Sequence, residues 1–161
     1  MELEIQDAKR GFKVRAAAIV VRDGRLLLHS MPGRDYWMAP GGGVRFGETS
    51  RRAVAREIRE ELGVEPKVGR LLWVVEHFFQ STVRKRHQVA WFHEVALPDD
   101  CGAVRRETWQ IDEADGRVTF RWVPLKDLAT LRVVPGFLRD AVVHLPRGTR
   151  HLVHRDAPSG G

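Results

Sequence analysis

Three carboxylates, Glu57, Glu60 and Glu61, lie in a stretch (51–62) free of Gly and Pro. At about 100° per residue they share one side of a helix, with Val54, Ala55, Ile58 and Leu62 forming an oily stripe and Arg52, Arg56 and Arg59 a basic side. Like charges three or four apart cost a helix a few tenths of a kcal/mol per pair. Such a face is therefore either a solvated one, with Arg56 and Arg59 as ion-pair partners, or a seat for a cation. Carboxylates with no Cys or His among them suit a hard ion, Mg²⁺ or Mn²⁺, better than zinc.

Upstream, Pro40-Gly41-Gly42-Gly43 would let backbone approach a phosphate or a metal closely. No Gly-Lys-Ser/Thr follows these glycines and no Gly-x-Gly-x-x-Gly occurs, so P-loop and dinucleotide readings fail on residues. Glu48-Thr49-Ser50 offers N-cap chemistry for the helix, and Gly63, with Pro66 shortly after, stops it.

The spacing Gly42-x5-Glu48-x7-Arg56-Glu57-Ile58-x-Glu60-Glu61-x-Gly63-Val64 resembles the signature of the Nudix hydrolases at every fixed position. The resemblance implies an α/β (α+β) fold, an α/β/α sandwich with a mixed β-sheet. It implies hydrolysis of the diphosphate bridge of a nucleoside diphosphate linked to another moiety X, a nucleoside triphosphate or nucleotide-sugar type of substrate. Mg²⁺, or Mn²⁺, would be held by Glu57, Glu60, Glu61 and a backbone carbonyl near Gly42. Glu57 or Glu61 is then the expected base, with Arg56 orienting a glutamate and Glu48 bracing the loop. A later carboxylate is sought among Glu107, Asp112, Glu113 and Asp115, Glu113 first. Gly41 and Gly43 are expected to face substrate, and Trp37, in the loop entering the box, to stack on a base. The alternative is a nucleotide-sensing or nucleic-acid-binding module that uses the fold without hydrolysis.

Composition fits these expectations. With 43% apolar and 30% charged residues, the chain reads as one domain, which the resemblance makes a Nudix-like hydrolase domain over 1–145, and a basic, poorly ordered tail over 146–161. The net charge of +6 favours anionic partners, foremost a small nucleotide or diphosphate; Arg-rich codon usage is a competing cause. Cys101 alone excludes an internal disulfide framework and fits a cytoplasmic setting. The first residues lack the pattern of a signal peptide, and no apolar run is long enough to span a membrane. A homodimer stays open.

The remaining elements must position the box. Residues 12–21 and 26–30, around Arg22-Asp23-Gly24-Arg25, read as a hairpin; 68–80 and 87–97, joined by a basic turn over 81–86, read as a strand pair. A second hairpin is expected at 105–111 and 117–123, a short helix over 125–131 and a longer one over 136–145. His77, His87 and His93 fall within strand-like runs and read as core or edge residues. Around 80–84 there is neither the proline linked with ADP-ribose hydrolases nor the tyrosine linked with diadenosine polyphosphate hydrolases, and 26–40 does not match the extended pattern of coenzyme A hydrolases.

Overall fold

The structure is a computed structural model and describes residues 1–81 and 84–157. Thr82 and Val83 of the expected basic turn, and 158–161 of the expected tail, lie outside the described residues. In chain order the strands are β1 (Glu4–Gln6), β2 (Arg10–Ile19), β3 (Val21–Arg22), β4 (Arg25–Ser30) and β5 (Gly41–Gly43). Helix α1 (Ser50–Leu62) follows, then β6 (Lys67–Gln80), β7 (Lys85–Ala96), β8 (Thr108–Glu113), β9 (Gly116–Pro124), the short helix α2 (Leu138–Ala141) and β10 (Arg150–Arg155).

One sheet runs β1-β2-β7-β6-β10, with β5 also on β2; it is mixed, β2/β7 and β6/β10 being parallel and the other pairs antiparallel. The second, β3-β4-β9-β8, is antiparallel. This is the expected α+β arrangement with a mixed sheet, although helices are few and the sheets large. Asp23 and Gly24 take positive φ (50° and 70°), the geometry a two-residue hairpin between β3 and β4 requires.

Alternation along β2 sends Ala16 and Ala18, joined by Val20 just past its end, into a core cluster with Ala53, Val54 and Ile58 of α1, and Ala17 and Ile19 into a second cluster with Leu128, Leu138 and Val142. The oily stripe of α1 is thus what docks the helix. Thr49 caps it, its Oγ1 accepting from Arg52 N at 3.3 Å, and Gly63 ends it in the left-handed region at φ 67°. Among the described residues no helix is long and apolar enough to cross a membrane.

Two expectations need correction. The helix expected over 136–145 is only Leu138–Ala141, although Leu138 and Val142 are buried at helical spacing. Bounded by Pro135 and Pro146, and with adjacent β-branched Val142 and Val143, the segment is too short to repay helix nucleation. The segment expected to be poorly ordered contains β10, paired parallel with β6 from Arg150↔Trp73 to Arg155↔Phe78. Its Arg and His residues masked an alternation in which Leu152 packs against the core while His151 and Val153 face out, and the strand covers the edge of β6.

Candidate active site

Register fixes the glycines before any side chain acts. Gly41, Gly42 and Gly43 pair with Ala17, Ala16 and Arg15 of β2, which leaves α1 room to cross above them. At Gly41, φ is 140°, and a Cβ would meet the Ala16 carbonyl. A Cβ at Gly42 would overlap the carboxylate of Glu57, so the missing side chain is what lets that carboxylate lie on the loop backbone.

Arg56 locks this arrangement. Its Nε and Nη2 donate to Glu48 Oε1 and Oε2 at 2.9 and 3.0 Å, and Nη2 also donates to the Gly43 carbonyl at 2.9 Å. Its Nη1 reaches Glu57 Oε1 at 2.5 Å and Glu60 Oε2 at 3.2 Å. Glu48 Oε2 in turn accepts from Arg45 N at 3.0 Å. Hydrogen bonding to Arg56 holds the Glu48 carboxyl below the usual range, and the same contact raises the guanidinium pKa. One guanidinium therefore ties the glycine loop, the helix entry and two of the three helix glutamates together.

Glu61 is in a different environment. Its side chain is 7% exposed and Oε2 is buried without a partner. Burial first, and then the charge of Glu57, push its carboxyl well above the usual range. The nearest cationic candidate, His29 Nδ1, is 3.7 Å away, but burial and the neighbouring charge of Arg15 hold that ring down to about 3, so at neutral pH the contact is not an ion pair. Glu113, on the β8–β9 hairpin, is raised by burial and then by Glu57, Asp115 and Glu60, which places it within the electrostatic reach of the helix glutamates.

Sequence reasoning missed Arg15 and His29. Arg15 donates to the Ala39 carbonyl at 2.8 Å; burial lowers its pKa, while the charges of Glu61 and Glu57 act to raise it. Each interrupts an apolar strand, which was the signal available. Trp37 is half-buried; it packs against the core cluster containing Ala39 and Val133, and its backbone is bonded to Arg132 and Val134. A groove of about 700 Å³ lies at the opposite end of β2, beside Phe12, Phe78 and His87, and not at the glutamates.

Among the described residues, no three His, Cys, Asp or Glu side chains are gathered to hold one ion. Arg56 engages Glu57 and Glu60. The donor set nevertheless fits a hard divalent cation: the three helix side chains offer only oxygen, one carboxylate oxygen is buried without a partner, and burial followed by the charge of Glu57 raises Glu61.

Comparison with known proteins agrees with this geometry. Residues 12–142 match the family model described as NUDIX domain. The RNA pyrophosphohydrolase of Haemophilus influenzae is 27% identical, with 92% of this chain and 79% of that protein covered. The CTP pyrophosphohydrolase of Escherichia coli is 37% identical over 98 residues, 58% of this chain and 68% of that protein. The MutT NUDIX hydrolase crystal structure from Burkholderia pseudomallei superimposes with a TM-score of 0.57 at 30% identity, covering 80% of this chain and 95% of that one. The chain belongs to the Nudix family.

Proposed function

We propose that this Nudix-type pyrophosphohydrolase cleaves the diphosphate bridge of a nucleoside diphosphate derivative, a nucleoside triphosphate or nucleotide sugar, with Mg²⁺ or Mn²⁺. The observation that carries the reading is the combination at α1: Glu57 laid on Gly42, Glu60 beside it, and Glu61 buried with an oxygen unpartnered. Glu57, Glu60, Glu61 and the Gly42 carbonyl would hold the ion. When bound, it would neutralise charge on the bridge oxygens and lower the pKa of an attacking water.

The chain's own groups do the rest. Gly41 and Gly43 present backbone to the phosphates without obstruction, and Arg56 sets the orientation of Glu57 and Glu60. Glu57 or Glu61 accepts the proton of the attacking water, with Glu113 as an additional carboxylate facing the same space. Trp37 forms part of the wall for the nucleoside. A cytoplasmic location accords with the single cysteine.

A panel assay tests the reading. The relatives' names suggest RNA and CTP for the panel beside other nucleoside triphosphates and nucleotide sugars. Metal-dependent release of phosphate, pyrophosphate or nucleoside monophosphate is expected. No hydrolysis across the panel, with nucleic-acid binding that falls steeply as salt rises, would replace this reading with the non-hydrolytic one.

A further inference from the structure

Asp156, the residue after β10, collects donors from three places. His77 Nε2 lies 2.5 Å from Oδ2, His154 Nε2 lies 3.0 Å from Oδ1, and Gly136 N donates to Oδ1 at 3.0 Å. Asp156 N itself donates to the Phe78 carbonyl at 3.0 Å. His77 is 1% exposed, and its ring stacks on Phe79 with centroids 4.6 Å apart. Burial pushes the Asp156 carboxyl up, but the donors outweigh it and hold the group at about 2, so it stays charged.

The contact with Gly136 depends on a missing side chain: a Cβ there would lie 2.9 Å from Asp156 Oδ1. Gly136 follows Val134 and Pro135, and Val134 N donates to the Trp37 carbonyl at 2.9 Å while Trp37 N donates to Arg132 O at 2.9 Å. Through these bonds the carboxylate is linked to the loop that carries Trp37. His77, on β6, and Val134 with Pro135 line a seam that also takes in Arg15, Met38 and Gln88. The seam encloses about 20 Å³, room for one water, so a small shift of either wall decides what enters. Arg15 joins it to the box, being paired in register with Gly43 and within reach of the charges of Glu61 and Glu57.

We propose that Asp156 is a positioning residue for substrate binding, clamping the His77 wall to the 132–136 wall beside the box, where the nucleoside part of the substrate is received. The inference rests on the hydrolase reading above. It assigns a working part to a strand beyond the 12–142 match.

The test uses the full chain with Asp156→Ala, Asp156→Asn and Gly136→Ala; the last keeps every donor and acceptor and only displaces the carboxylate. With a substrate found on the panel, Asp156→Ala and Gly136→Ala are expected to raise KM about tenfold while kcat stays within about threefold, Asp156→Asn falling between them and the native protein. Amide exchange should quicken in 132–137 and 36–38 but not in α1. A fall in kcat at unchanged KM, or unchanged exchange in both segments of a folded variant, overturns the proposal. If the native protein hydrolyses nothing, the hydrolase reading fails separately. Calorimetry with a non-hydrolysable nucleoside triphosphate then decides the positioning role: a tenfold loss of affinity supports it and equal affinity refutes it. Should Asp156→Ala fail to fold, the other two variants carry the same readouts.

Discussion

Replacing Arg56 by alanine removes five hydrogen bonds at once, to Glu48 twice, Glu57, Glu60 and the Gly43 carbonyl. Arg56 and Glu48 are each 14% exposed in their side chains, so the loss is closer to that of a buried pair than of a surface one. Breaking a buried pair from one side costs about 3–5 kcal/mol, and water reaching the freed carboxylates brings this to roughly 2–4 kcal/mol. For a domain of this size that corresponds to a fall in Tm of about 5–12 °C. The pH dependence follows from Glu48. Its folded pKa is depressed by Arg56, so the stabilisation is present above the ordinary value near 4.5 and is lost as pH falls through the lower folded value. The gap between native protein and Arg56→Ala should therefore narrow below about pH 4.5. Arg56→Lys should recover less than half the loss, because an ammonium cannot span Glu48 and the Gly43 carbonyl together. Thermal unfolding of native protein, Arg56→Ala, Glu48→Gln and the double variant gives the coupling directly. A Tm within about 2 °C of native for Arg56→Ala, or a coupling near zero, would show that the clamp does not hold the loop.

Three further outcomes are open to measurement. Glu60→Gln or Glu61→Gln should lower turnover at least about a hundredfold with little change in Tm, since each removes a proposed ligand and not a packing group; near-native turnover removes the role from that residue. Gly42→Ala drives a methyl group into the Glu57 carboxylate, so turnover should collapse while the far-ultraviolet circular dichroism stays native, and an active Gly42→Ala enzyme would mean that the close approach is not needed. Asp156, with a folded pKa of about 2 against an ordinary 3.8, contributes stability above 3.8 that is lost between the two values as pH falls, up to about 2 kcal/mol; Asp156→Asn should flatten acid unfolding in that window.

What the sequence disclosed, and what it hid, divides along a physical line. The box was legible because its pattern is one of spacing along one helix and one loop, and both are local: α1 begins after Thr49 and stops at Gly63, as its capping chemistry requires. The strand pairs were legible for the same reason, since β-branched alternation and the Asp23-Gly24 turn act over a few residues. Arg15 and His29 were hidden because their meaning comes from tertiary burial. In the chain they are single polar residues within apolar strands, and only folding sets them near Glu61. β10 was hidden by composition, because a strand of alternating Arg, His and aliphatic residues has little reason to form except against the edge of β6.

The same division explains why the helix tolerates its own acidic face. Three glutamates within one turn repel, and local rules alone predict a modest penalty. The fold answers them in two ways: Glu57 and Glu60 share Arg56, whereas Glu61 is buried beside His29, with the charge of Arg15 opposing the upward push of burial and of Glu57. A fold selected for stability alone would gain by replacing that buried carboxylate with an apolar side chain. Among the described residues, Glu61 Oε2 is the buried side-chain oxygen left without a hydrogen-bond partner, a local cost that a hard cation held there would remove.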